Sequence, residues 1–346
     1  MMLDDKTSDT IRVMVERMKR PLLLTHVKPD GDALGSLAAM QSILRGQDVH
    51  PVALLFDAIP GRYALFQRLG SWTMHRADAP FDGLTEVDGV IILDTCTYNQ
   101  LEPIAEWLKS VSIPKIAVDH HLTRDNLADA YLVDESAAAT CLILYEWTKS
   151  NRRPPSPAAR DALFIGIAMD TGWFIHSNTD ARALMAAGEL VSQGVTAHEL
   201  HRRLHHRESP ARIRLLGEAL SSMELLADDR LSVMTLSSGA IRRAGATVAD
   251  TEDIINEPMR IAGVIVSILL VEHGDGIIRV SFRSKEPLIG ATGTEHGIVI
   301  PEIDVAAIAQ EFGGGGHARA AGAKIRGSLG DVRKRVIERL SDMLSR

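Results

Sequence analysis

Aromatic side chains are scarce in this chain: phenylalanine, tryptophan and tyrosine make up 4% of its 346 residues. Hydrophobic residues still reach 45%, so aliphatic side chains and alanine must fill the cores. Cysteine is rarer still. Cys96 and Cys141 are too few for a disulfide framework and suit a reducing cytosol. No apolar run reaches the roughly 20 residues that cross a bilayer. The opening stretch MMLDDKTSDTIRVMVERMKR lacks the charged-then-apolar pattern of an export signal, so a cytoplasmic protein with no membrane contact is expected. A basic excess is missing too. The net charge of −7 argues against a long basic track along nucleic acid. A small anionic substrate stays open, because bound cations reverse the local field.

What is there has the length for two domains. PLLLTH (21–26), HPVALLF (50–56), GVIILD (89–94) and IPKIAVD (113–119) read as buried strands. Helical stretches over 32–46, 63–69 and 99–110 alternate with them. Strands apolar on both faces, alternating with helices, predict a parallel sheet covered on both sides. Helices follow near 139–150, 156–169 and 180–193, the second opened by RRPPSP. A charged helical stretch over 196–226 fits a connector. Beyond it, strands at 230–237, 261–273 and 276–284, a helix at 305–311, a glycine run, a strand near 323–326 and a last helix predict a smaller α/β unit. The last two long strands are joined by the turn Gly274-Asp275-Gly276.

Ligands of open α/β sheets sit beyond the carboxyl ends of the strands. There the first strand runs into His26, Asp30 and Asp32, the third into Asp94, and the fourth into Asp119, His120 and His121. The helix at 156–169 runs into Asp170, and the strand at 50–56 ends in a lone Asp57. Taken singly, each aspartate reads as a cap or turn residue, Asp32 as the N-cap of its helix, and Asp119 as a carboxylate that orients a neighbouring histidine. Their convergence on one sheet edge reads as a carboxylate-bridged pair of cations. Carboxylates with imidazoles and no thiolate suit Mn²⁺ or Mg²⁺ better than structural zinc.

A second cluster is FGGGGHARAAG, 312–322, where glycine N–H groups, His317 and Arg319 could receive an anion. It lacks the Lys-Ser/Thr pair of a nucleoside triphosphate loop. Arg283, in VSFRSK, is a partner for a phosphate or sugar edge. His198, His201, His205 and His206 in AHELHRRLHHRE have helical spacing for zinc but no acidic or thiolate ligand to complete a site, so a solvated or interdomain face is expected. Cys96 reads as a small core residue, and Met14 and Met18 with Val13 and Val15 as ordinary helix packing.

Taken in order, THVKPDGDALGS, LDTCT, VDHH, DTGWF and GGGGHARAAG resemble the DHH phosphoesterase family, in its branch with a C-terminal DHHA1 domain. The likeness spans residues 25–322. It implies that His26, Asp30 and Asp94 hold one metal and that Asp32, Asp94, His120 and Asp170 hold the second, with Asp94 bridging. It implies that His121 faces the scissile phosphate and that Asp119 supports the histidine pair. Arg283, Ser284, Gly313, Gly314, Gly315, Gly316, His317 and Arg319 would bind the substrate's nucleotide and terminal phosphate. The implied architecture is a DHH domain over 1–195, a helical linker over 196–226 and a DHHA1 domain over 227–346, with the active site in the cleft between the domains. Ile175 departs from the pattern, standing where several relatives carry a basic or polar group.

The short two-domain length resembles the nanoRNase and pAp-phosphatase members. It implies hydrolysis of short oligoribonucleotides, and of 3′-phosphoadenosine 5′-phosphate to AMP, with the attacking oxygen held between two divalent metals. Mn²⁺ is the expected ion, with Mg²⁺ or Co²⁺ admitted, and a homodimer is left open. The alternative is a cyclic or linear dinucleotide phosphodiesterase of second-messenger turnover. A non-catalytic nucleotide-binding scaffold is the rival from another class, which loss of metal ligands would mark.

Overall fold

The computed structural model describes residues 5–45, 49–75, 81–84, 86–206, 208–286, 294–295, 298–299 and 301–344. The chain forms two compact units, Met1–Arg207 and Glu208–Arg346.

In the first unit, helix α1 (Asp5–Arg17) leads into β1 (Pro21–Leu24), α2 (Gly31–Arg45), β2 (Val52–Leu55), α3 (Phe66–Leu69) and β3 (Trp72–Met74). Then come β4 (Gly89–Leu93), α4 (Ala105–Ser110), β5 (Lys115–Asp119) and β6 (Ala130–Val133). Helices α5 (Thr140–Ser150), α6 (Pro157–Asp170), α7 (Ala181–Ser192) and α8 (Ala197–His205) complete the unit. Its six strands are all parallel, in the order β3-β2-β1-β4-β5-β6. That is the doubly wound order, in which the strand sequence reverses between β1 and β4 and a crevice opens at their carboxyl ends.

Alternate strand residues serve opposite faces. Leu23, Ile91, Leu93, Ile116 and Val118 join the core built with α1, α2, α5 and α6. Leu22, Leu24, Val90, Ile92 and Ala117 pack with Leu101, Ile104 and Leu108 on the other side. The four expected strands are β1, β2, β4 and β5. β3 and β6 carried no signal because these short strands keep only half-buried or exposed positions apart from Leu132. Helix starts follow the sequence closely: Ser156 caps α6 by accepting from the Ala159 N–H, with Pro157 in the first turn, and Asp180 caps α7 through Ala183. Val15 on α1 and Met18, just past its end, are buried, whereas Val13 lies on the helix's outer face.

The stretch over 196–226, expected as one connector, holds α8, then α9 (Pro210–Ser221), then β7 (Glu224–Leu226). The second unit continues with β8 (Leu231–Leu236), α10 (Ser238–Ala244), β9 (Val266–Gly274), β10 (Ile277–Ser284) and the short pair β11 (Thr294–Glu295) and β12 (Ile298–Val299). Helix α11 (Val305–Glu311), β13 (Gly315–His317), β14 (Ala320–Arg326) and α12 (Leu329–Leu344) follow. Its main sheet runs β13-β14-β10-β9-β8-β7, antiparallel throughout except for β8 beside β9. The β9–β10 connection places Asp275 and Gly276 at φ 52° and 68°, as a two-residue hairpin turn demands. Helices α11 and α12 cover one face and α9 and α10 the other. Among the described residues no helix is long and apolar enough to cross a membrane.

Candidate metal centre

The crevice between β1 and β4 gathers acids and imidazoles from five elements. β1 delivers His26, the start of α2 delivers Asp30 and Asp32, β4 delivers Asp94, β5 delivers Asp119 to His121, and the end of α6 delivers Asp170. Ligand-capable atoms of His26, Asp30 and Asp94 lie within 4.8 Å of one another, as do those of Asp32, His120 and Asp170, and those of Asp94, His120 and His121. Every expected metal ligand therefore falls into one overlapping cluster, with Asp94 and His120 each shared between two groups.

The separations test whether cations fit. His26 Nε2 stands 3.5 Å from Asp94 Oδ2, and His120 Nε2 stands 3.7 Å from Asp94 Oδ1 and 3.4 Å from Asp170 Oδ2. These distances exceed a charge-assisted hydrogen bond of about 2.7–2.9 Å. They match two ligands of one ion, which stand about 3 Å or more apart when each is roughly 2.1 Å from it. The tautomers agree. His26 Nδ1 contacts the Val27 carbonyl at 2.8 Å and His120 Nδ1 the Ala137 carbonyl at 3.2 Å. A carbonyl only accepts, so each Nδ1 carries the proton and each Nε2 keeps its lone pair for a metal. The residues fit a pair of divalent cations.

Asp30, rather than Asp32, caps α2: its Oδ1 accepts from the Asp32 and Ala33 N–H groups, both at 3.0 Å. Asp32 instead takes the N–H groups that open α5, Thr140 at 2.6 Å and Cys141 at 3.0 Å. Room for this carboxylate comes from Gly166 on α6, where a Cβ would stand 2.6 Å from Asp32 Oδ1 and overlap Cys141 Sγ. Asp94 sits at φ 63°, a left-handed conformation that costs a non-glycine residue about 1–3 kcal/mol and clusters at functional sites. Its N–H donates to the Val118 carbonyl and its Oδ1 accepts from the Thr140 hydroxyl at 2.9 Å.

Burial, then Asp32, Asp30, Asp170 and Asp119, push the Asp94 carboxyl well above the usual carboxylate range. Asp170 is pushed up to about 8 by burial and then by Asp32 and Asp30. Burial also raises Asp32, against the pull of His120. So many acids in one buried crevice are at odds with one another until positive charge enters.

Behind the cluster, Asp119 Oδ1 accepts from His121 Nδ1 at 2.7 Å and from the backbone N–H groups of His120 and His121 at 2.8 and 3.2 Å. Burial alone would raise Asp119, but the bonds from His121 outweigh it and hold the carboxyl below its usual range. The same bond raises His121 against the effect of burial. Cys96 is buried beside Asp119, and burial first and Asp119 second push its thiol upward, so it stays a protonated packing group.

Sequence reasoning missed Thr140, the α5 N–H groups and Gly166, because an alanine-rich stretch before a helix carries no chemical signature. It also left Asp57 unassigned: its Oδ2 accepts from the Lys28 N–H at 2.7 Å and so braces the loop that carries His26 and Asp30. Ile175 is 83% exposed. Of the α8 histidines, His201 and His205 pack against Trp173, edge-on at 4.6 and 5.4 Å between ring centres, while His198 is exposed. They join none of the metal-sized groups found among the described residues.

The glycine-rich segment of the second unit is more structured than a loop. Gly313 N–H donates to Gln310 and Gly314 N–H to Ala309, which closes α11 with Gly313 at φ 75°. Gly315, Gly316 and His317 then form edge strand β13 against β14. Two of the four glycine N–H groups are thus spent on the helix end. Arg283 donates from Nε to Asn256 Oδ1 at 3.0 Å and lines a cavity of about 320 Å³ with Arg279, Ser281 and Gly315. Ser284 is buried with its hydroxyl donating to the Ile303 carbonyl at 2.8 Å. Arg319 donates to the same carbonyl at 2.9 Å, and His317 is exposed.

A doubly wound α/β unit with three overlapping groups of carboxylate and imidazole donors at its switch point, followed by a second α/β unit, defines the class of this protein. Residues 21–167 match the DHH family, N-terminal domain, and residues 231–345 match the DHHA1 domain. The chain belongs to the DHH family, in its DHHA1-containing form. It is 29% identical to a bifunctional oligoribonuclease and PAP phosphatase NrnA of Thermus thermophilus, over 98% of this chain and 95% of that one. It is 27% identical to the protein of that name from Bacillus subtilis, over 88% of each chain. Its fold is similar to that of an exopolyphosphatase-related protein from Bacteroides fragilis, with a TM-score of 0.79 over 99% of both chains at 22% identity.

Proposed function

We propose that this chain is a metal-dependent phosphoesterase that releases mononucleotides from short oligoribonucleotides and cleaves 3′-phosphoadenosine 5′-phosphate to AMP. The observation that carries the reading is the overlap of donor groups around Asp94, at the crevice where a doubly wound sheet receives its ligand. The names of the Thermus and Bacillus relatives support the substrate class.

His26, Asp30 and Asp94 would hold one divalent ion, and Asp32, Asp94, His120 and Asp170 the other. Oxygen and imidazole donors without thiolate favour Mn²⁺, with Mg²⁺ and Co²⁺ as competitors. Bound there, the ions supply Lewis-acid neutralisation of phosphoryl oxygens and a water acidic enough to lose its proton near neutral pH. The chain's own groups do the rest. Asp119 fixes the His121 ring and favours its protonated form, so that His121 gives a proton to the leaving oxygen. In the second unit we assign Arg283, Arg319 and His317 to the substrate's phosphate and sugar; the Gly313 and Gly314 N–H groups are already spent on the end of α11. Two buried free cysteines are in keeping with a reducing, cytoplasmic setting.

Initial rates with Mn²⁺ on a ribodinucleotide, a 24-mer RNA, 3′-phosphoadenosine 5′-phosphate and cyclic di-AMP test the reading. Fast mononucleotide release from the dinucleotide with little from the 24-mer is expected. Preference for the cyclic compound would move the protein to second-messenger turnover, and inactivity on all four with metal bound would overturn the hydrolase reading.

A further inference from the structure

A cavity of about 640 Å³ opens in the first unit between the segment around α3 and helix α8, lined by Ala64, Leu65, Gln67, Arg68, Arg202, Arg203 and His206. Three guanidinium groups and an imidazole converge there in a chain whose net charge is −7. No acidic side chain lines it among the described residues. Two acids stand nearby: Glu199, which accepts from Nε and Nη2 of Arg203 and stands 4.0 Å from Arg202 Nη2, and Asp161, which interacts with Arg203 and Arg160. Two carboxylates against the three lining arginines, with Arg160 also beside Asp161, leave the group with an excess of positive charge. The Arg68 guanidinium has neither an ion pair nor a hydrogen bond among the described residues, and the Arg202 side chain is 65% exposed.

We propose that this cavity is a binding site for a compact, multiply charged phosphate anion. Guanidinium forks match phosphate oxygens two at a time, and like charges held in a concavity focus the field on an entering anion. The volume is that of a small-molecule site. None of its lining residues is a tryptophan, tyrosine or phenylalanine, so the cavity offers phosphate recognition without a platform for a base. Its wall is held in place from behind. Arg202, Arg203 and His206 face the cavity, while His201 and His205, on the neighbouring face of α8, pack against Trp173. Anchoring the helix in this way lowers the ordering cost of binding. None of its lining residues belongs to the metal-ligand groups, and the proposal does not rest on the hydrolase reading.

Inorganic tripolyphosphate, titrated by calorimetry into the intact metal-free chain, tests this. Saturable binding with one equivalent per chain is expected, weakened about tenfold or more in Arg202→Glu and in Arg68→Glu, the size of one lost charged contact. Arg283→Ala, in the second unit, should bind as the wild type does. Because Arg68 and Arg202 are exposed, both variants should keep the wild-type melting temperature, and Arg68→Gln and Arg202→Gln repeat the test without charge reversal. Absence of binding would overturn the proposal. So would a loss confined to Arg283→Ala, or equal binding of sulfate at the same concentration, which would mark an unselective basic patch.

Discussion

Thr140 ties the two halves of the metal centre together. Its hydroxyl donates to Asp94 Oδ1 at 2.9 Å, while its backbone N–H donates to Asp32 Oδ2 at 2.6 Å. One residue at the start of α5 thus orients an aspartate from β4 and another from α2. Thr140→Val keeps the shape and the backbone bond but leaves a buried acceptor without its donor. A loss of about 1–2 kcal/mol in stability is expected from that acceptor. Mn²⁺ affinity should fall about 10–100-fold, as for other groups that orient metal ligands. Thermal melts and metal titrations of the variant check both numbers, and unchanged metal affinity would remove Thr140 from the centre.

Gly166→Ala tests the close approach of α6 to Asp32. The added methyl would overlap Cys141 Sγ and crowd Asp32 Oδ1. Overpacking of this kind costs about 1–3 kcal/mol. Adding Cys141→Ala should restore part of the stability and leave the crowding of Asp32, so metal affinity should stay low in the double variant. Full recovery of both would mean that Asp32 is not positioned by this contact.

Much of this centre was legible in the sequence because its chemistry lies at the ends of apolar strands. β1, β4 and β5 are continuous buried runs, and His26, Asp94 and Asp119 follow or end them directly. What was hidden is what needs three dimensions. Asp30 rather than Asp32 caps α2, since the choice depends on where α5 begins, more than a hundred residues away. The glycine run read as a free anion cradle, yet its first two N–H groups close α11 and the next three residues pair with β14. Edge strands β3 and β6 were invisible because partial exposure erased the apolar pattern.

The Asp119–His121 bond sets a pH dependence. Asp119 raises the His121 imidazolium pKa, so that the proton-donating form persists to higher pH. Asp119→Asn removes the charge, and the falling alkaline limb of kcat should move to lower pH, with a lower maximum. A pH–rate profile on a dinucleotide with saturating Mn²⁺ reads this. A limb that stays in place would assign the proton transfer to another group.

Metal-free stability carries the opposite sign from most acids. The folded Asp170 carboxyl is raised to about 8 from an ordinary value of 3.8, so between those values the folded chain binds more protons than the unfolded one. Stability of the metal-free protein is therefore full below the lower value and is lost as pH rises through the upper one. Melting temperatures in EDTA should fall from pH 5 to pH 8, whereas excess Mn²⁺ should stabilise most at the alkaline end, because binding there needs no proton release. A rise in metal-free melting temperature with pH would contradict the carboxylate crowding.

The most direct test is the initial rate of mononucleotide release from a ribodinucleotide with Mn²⁺, wild type against Asp94→Asn. Asp94 lies in two of the donor groups and is assigned to both ions, so its loss should disable both at once. The expected result is a fast wild type and a fall of about 10³-fold or more in the variant, the scale of losing several kcal/mol of transition-state stabilisation. A variant that keeps substantial Mn²⁺-dependent activity while remaining folded would contradict the two-metal phosphoesterase account.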